Sequence, residues 1–254
     1  PRWSGWSPEP RELPSRFDGV SRVEPPSDPR PDLGGISPSL QRSLVLPRPR
    51  WRGVMHRVAV PATVVAGGWL VSTAPVGRDR VGAAVFVAGA LLMFVASSLV
   101  HLRRWSIPVW EALFRFDHAA IFVLIASSAT PIGVSVLEGR SATLLLWAVW
   151  IGAAIGVGLR LLPFHPPKGL MNSLFLALGW VPIVVAPDLF RGLEPLAILL
   201  VVVEGLLYSG GALMLGARWP DPYPEVFGYH EVWHTLVTTA VAAHFVVVAL
   251  VVTA

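Results

Sequence analysis

Cysteine is absent from the 254 residues. That excludes disulfides and every thiolate metal site, so any metal must be held by His, Asp or Glu. Charge is scarce as well: 14% of residues are charged against 54% hydrophobic, and the mean hydropathy is +0.60. A soluble domain carries roughly a quarter charged residues, so the expected solvent for this fold is lipid. The net charge of +4 could suggest nucleic acid in a soluble protein. Here the arginines gather in an N-terminal arm and in loops, which reads as a membrane-topology signal, and no nucleic-acid partner is expected.

Residues 1–49 are rich in Pro, Arg, Ser and acidic residues, with no hydrophobic periodicity. They are expected to be a disordered cytoplasmic arm. The first apolar run lacks a small-residue cleavage site and many similar runs follow, so a removable signal peptide is not expected. Residues 50–254 form the expected membrane domain. A bilayer-spanning helix needs about 20 mostly apolar residues, and seven such runs lie between breaks rich in Pro, Gly and charge. They are 56–74, 81–102, 117–136, 142–162, 170–185, 196–215 and 230–253. The fifth is the weakest, because Gly179, Trp180 and Pro182 interrupt it. The fold expected is an all-α, multi-pass cell-membrane bundle of seven transmembrane helices.

Arginine and lysine near the run ends set the orientation. Arg42, Arg48, Arg50, Arg52 and Arg57 precede the first run; Arg103, Arg104, Arg115, Arg160, Lys168 and Arg218 fall on the same side. The opposite side has Arg78, Arg80, Arg140 and Arg191, partly offset by acids. The N-terminus is therefore expected in the cytoplasm and the C-terminus outside.

Ionisable residues are expensive in hydrocarbon, so each asks for a function or a partner. His101 closes the second run, Asp117 opens the third, and His230 and His234 open the seventh, all on the inner side. Two His four residues apart share one helical face. Taken singly, a His at a helix end is ordinarily an interfacial residue, but the recurrence of these four at one depth favours a site. His101, His230 and His234 would supply three neutral nitrogen ligands to Zn2+ and leave a fourth position for water, as in catalytic zinc sites. Asp117 could orient that water, act as a general base or hold a ligating His. Ser97, one turn deeper than His101, could hydrogen-bond the water or polarise a carbonyl.

Other polar residues read differently. His118 points about 100° away from Asp117, towards a role in packing or in supporting the ligating groups from behind. His244 lies about 21 Å beyond His230 along the helix and cannot reach the same ion. His56 and His165 are expected at the interface, and Glu231 exposed at the start of the last helix, where a carboxylate suits the helix dipole. Glu204, deep in the sixth run with no adjacent basic residue, either pairs across the bundle, stays protonated or lines a wet cavity. Gly210, Gly211 and Gly216 suggest close helix packing.

The segments Ser97-Ser-Leu-Val-His101, Phe116-Asp-His-Ala-Ala-Ile121 running on to Thr130-Pro131, Phe227-Gly-Tyr-His-Glu-Val-Trp-His234 and Ala243-His-Phe245 resemble the bacterial hemolysin III family. That family is related to the progestin and adipoQ receptors and, more distantly, to alkaline ceramidases. The resemblance covers nearly everything after the arm, and it implies a zinc site at Ser97, His101, Asp117, His230 and His234. Val100 and Phe116 stand where the family often has Tyr and Leu.

The function expected is that of a metal-dependent hydrolase of a lipid amide or ester, with membrane lipids as partners. The alternative is a receptor-like or membrane-perturbing protein in which zinc is structural. A channel or transporter lacks support, since no acidic ring or pair of broken helices marks an ion path. Epitope tags placed at the two ends should be accessible from opposite faces of intact cells or spheroplasts, the N-terminal tag only after permeabilisation. Two tags exposed on the same face would refute an odd number of spans.

Overall fold

In lipid the backbone has no water to bond, so an isolated apolar run satisfies its N–H and C=O groups by closing on itself as a helix. The computed structural model of the chain has that form and describes residues 48–162 and 169–253. The helices are α1 (Val54–Thr73), α2 (Arg78–Leu102), α3 (Ile107–Ser135), α4 (Gly139–Leu161), α5 (Leu170–Gly179), α6 (Ala186–Gly192), α7 (Pro195–Ala217) and α8 (Tyr229–Thr253), with a 3-10 segment, Val181–Val185, between α5 and α6. No strand of a sheet occurs among the described residues.

Among the described residues, seven segments of 20 to 29 residues are long and apolar enough to cross a membrane; α5, the 3-10 segment and α6 together make the fifth. The expected all-α bundle of seven spans is what the chain forms. The arm expected to be disordered, residues 1–49, lies outside the described residues apart from Arg48 and Pro49, as do His165 and Lys168.

Two boundaries differ from the sequence expectation. α3 begins at Ile107, ten residues before Asp117, with Pro108 in the first turn, where a missing N–H costs nothing. Arg115 counted among the charges at the run ends, yet it lies on the helix. The fifth span is indeed broken after Gly179, but the chain continues as a 3-10 segment and then as helix through Gly192, so the Pro187-to-Gly192 stretch is not a loop. Pro187 stands in the first turn of α6.

The distribution of side chains is inverted relative to a soluble protein. Val65, Trp147, Ile183, Phe190 and Leu213 are exposed on the outside, whereas His56, Ser97, Ser127, Thr130, Arg160, Glu231, His234 and His244 are buried. Lipid tails solvate the former and cannot solvate the latter. Arg160, placed in a connection by sequence, is in the last turn of α4 and only 5% exposed.

α3 packs against α2 and α4, α7 against α8, and α1 against both α2 and α8. In lipid, helices gain little from hydrophobic burial against each other and instead approach through small residues. At the α2–α3 contact a Cβ on Gly89 would fall 1.8 Å from the Ser127 hydroxyl; only glycine permits that approach. The contact matters because α2 carries Ser97 and His101, and α3 carries Asp117.

Candidate metal centre

The site is assembled where the chain enters α1 and α8. Before α1, the backbone N–H groups of Arg50 and Trp51 donate to the carbonyls of Glu225 and Val226, at 3.0 and 3.1 Å, just ahead of α8. The first turn of α8 would leave N–H groups unpaired. Asp221 accepts from Tyr229 N–H at 2.9 Å, and Glu231 reaches back to accept from Gly228 N–H at 3.0 Å, the reciprocal half of a capping box. The other Glu231 oxygen lies 2.7 Å from the Arg52 guanidinium. Glu231 is thus 1% exposed rather than at the surface, because its partners cross from the segment preceding α1. Its place in a His-Glu-x-x-His pattern would suggest a general base, but both oxygens are committed to holding α8.

This junction sets His230 and His234 opposite the last turn of α2. His230 Nε2 and His101 Nε2 are 3.2 Å apart. One ligand nitrogen from each of His101, His230 and His234 lies within 4.8 Å of the other two, close enough to share a metal ion. The ring centroids are 4.6 to 5.0 Å apart in all three pairings. His234 Nδ1 is buried with no hydrogen-bond partner. The Cβ of His101 also presses on the N-cap of α1: a Cβ on Gly53 would lie 2.6 Å from it, and Gly53 has φ of +71°. Both the space and the left-handed backbone require glycine there.

Ser97 stands one helical turn before His101 on α2 and faces the Asp117 side chain of α3; both line the same cavity as the three histidines. The Arg160 guanidinium supplies a positive charge near Asp117 and sits over the Phe114 ring at 4.9 Å. His118 Nδ1 donates to the Phe114 carbonyl at 3.0 Å and lies 3.9 Å from an Asp117 carboxylate oxygen, so the ring stays beside Asp117 in the cavity wall.

Sequence reasoning missed several neighbours. His56, expected at the interface, is 3% exposed and stacks on His234 with ring centroids 4.0 Å apart. One turn of α1 past Gly53 carries it inward beneath the cluster. Arg52, Glu231 and Arg160 were read only as topology or surface charges. The burial of a charge at a run end is invisible until its partner, here far along the chain, is known. At the rim, Arg48 has its pKa lowered by burial and then by Arg52, Arg57 and Arg104, with Glu231 opposing.

The sequence left Glu204 with three readings, of which pairing across the bundle is what the structure shows. It pairs across the bundle with His244, whose Nδ1 is 2.9 and 3.0 Å from its two oxygens, and it lines a cavity. That cavity, about 1060 Å³, also has His101, Asp117, Ser97, His230 and His234 in its wall. It is mostly apolar and at the upper end of ordinary ligand sites.

The haemolysin-III related family profile matches residues 45–245. A hemolysin-3 homolog of Bacillus subtilis is 29% identical over 66% of this chain and 75% of its own length. Hemolysin-3 of Bacillus cereus is 28% identical over 63% and 70%. The human monocyte to macrophage differentiation factor is 26% identical over 66% and 68%.

Because Gly53 makes room for His101, Gly53→Ala should weaken Zn2+ or Co2+ binding by about tenfold or more, as do changes behind metal ligands elsewhere. Competition with a chelator measures this. Gly158→Ala, where a Cβ meets nothing, should leave affinity unchanged; equal affinities in both variants would contradict the packing argument.

Proposed function

The chain belongs to the haemolysin-III related family, and on that premise we propose that it is a membrane hydrolase that cleaves an amide or ester bond of a lipid, using Zn2+ held by His101, His230 and His234. The observation that carries this reading is the convergence of three imidazoles on the wall of a large apolar cavity that Asp117 and Ser97 also line. The donor set fits the ion. Zinc–nitrogen bonds of about 2.0–2.1 Å at tetrahedral angles put two nitrogens about 3.3 Å apart, against 3.2 Å between His101 and His230. A buried His234 nitrogen without a partner fits as well, since such an atom is costly unless something bonds it.

When bound, the ion supplies a Lewis acid and a water acidified to a pKa of roughly 7. The residues do the rest. Asp117 takes the proton from the attacking water and passes it to the leaving nitrogen or oxygen. Ser97 orients the Asp117 carboxyl that it faces, and Arg160 balances its charge. The apolar wall holds the hydrocarbon chain of the substrate and keeps bulk water from it. With the N-terminus in the cytoplasm, the site opens to the inner leaflet, where the substrate resides.

A second reading has one observation in its favour: the cluster joins the end of α2 to the start of α8, so a metal there could serve only to brace the bundle. The two differ at Asp117. Purified protein should carry about one zinc per chain and hydrolyse a lipid amide or ester. His234→Ala should lose both, and Asp117→Asn should keep metal and thermal stability while losing turnover at least 100-fold. If Asp117→Asn turned over normally, or the metal-free protein hydrolysed lipid, the hydrolase reading would fail. Loss of thermal stability alone on zinc removal, without lipid turnover in the loaded protein, would favour the bracing role.

A further inference from the structure

Among the polar groups of the cavity wall, two stations stand far apart along α8. One is the histidine cluster with Asp117. The other is built on Glu204 of α7 and His244 of α8. His234 and His244 are ten residues apart on one helix, about 15 Å along its axis. Between the stations the wall is apolar, with Ile121, Leu124, Ile125, Val201 and Val237.

The second station has a definite proton inventory. His244 Nε2 is 2.8 Å from the Ser128 backbone carbonyl, which can only accept, so Nε2 bears a hydrogen. His244 Nδ1 faces both Glu204 oxygens. One proton is therefore shared between imidazole and carboxyl, and the pair is neutral whichever group holds it. The carboxyl group has about four acceptor positions, and His244 occupies at most one or two of them. Glu204 is 13% exposed where His244 is 5%, and its exposed part faces the cavity, which Ser128 and Tyr208 also line. The edge contact of Phe86 with the His244 ring, centroids 5.0 Å apart, closes the side away from Glu204.

A pair that only tied α7 to α8 would have no need to leave carboxyl acceptor positions turned to a largely apolar cavity, where an unpaired polar atom is unfavourable. We propose that Glu204, held by His244, is a second polar anchor that accepts a hydrogen bond from a hydroxyl group borne on the hydrocarbon chain of a long-chain lipid lying along the cavity. The neutrality of the pair selects a hydroxyl over an ammonium group, which would leave an uncompensated charge in the wall. The spacing selects a hydroxyl remote from the lipid's polar head, which lies at the histidine end. The proposal rests on the cavity as a lipid site but not on the metal chemistry.

Full-length protein in nanodiscs tests it, with a series of hydroxystearates differing only in hydroxyl position measured against stearate by displacement of a fluorescent fatty acid. At one position along the chain the hydroxyl should tighten binding roughly tenfold or more over stearate, the worth of a hydrogen bond to a charged group. Glu204→Leu should abolish that preference while stearate binds as before. Glu204→Gln, of the same size and able to bond His244, should keep a reduced preference and guards against a folding failure of the Leu variant. Equal binding of all isomers and stearate by the wild type, or an undiminished preference in Glu204→Leu, would overturn the proposal. Turnover by the zinc-loaded protein, measured beside this binding assay, separates the two readings: a hydroxyl preference without lipid turnover in the loaded protein removes only the hydrolase, and turnover without the preference removes only the anchor.

Discussion

Polar groups in this chain have no water to fall back on along most of their length, and that constraint organises the molecule. Hydrocarbon accepts Val, Leu and Trp on the outside of the bundle and rejects imidazoles, carboxylates and guanidiniums. Each of these must be paired, turned into a cavity or placed at a helix end. The described residues show all three solutions: Glu231 with Arg52, Glu204 with His244, and His101, His230 and His234 with one another. The candidate site is thus a product of the same force that builds the bundle.

The junction before α1 and α8 converts that constraint into geometry. Backbone hydrogen bonds from Arg50 and Trp51 to the segment before α8, the buried Glu231 and the glycine at position 53 together fix where the first turns of both helices begin. The helical repeat then delivers His56, His230 and His234 to the end of α2. Without a hydrophobic drive between helices in lipid, such specific contacts, together with close approaches like that of Gly89 to Ser127, carry the packing. A cavity remains beside α3, α7 and α8, where the broken fifth span does not close the bundle tightly.

Much of this was legible in the sequence, for identifiable reasons. Run length and charge scarcity are sufficient to count spans, because lipid leaves the backbone little choice. The pair His230 and His234 at helical spacing announced a shared face, and His101 at a run end announced the partner. What escaped were features defined by two distant segments. Arg115, taken with Arg103 and Arg104 as a charge near a run end, hid the true start of α3 at Ile107. Arg52 and Glu231 are far apart along the chain, so one read as a topology signal and the other as surface. Glu204 looked anomalous because its partner, His244, lies forty positions away on the next span.

The central claim is that three imidazoles from α2 and α8 hold one ion. X-ray absorption at the zinc edge of the purified, unreconstituted protein tests it most directly, because it counts the ligands themselves. The account predicts a four-coordinate shell of three imidazole nitrogens and one oxygen at about 2.0–2.1 Å. A shell with one imidazole or none, or a protein that retains no zinc at all, would contradict it.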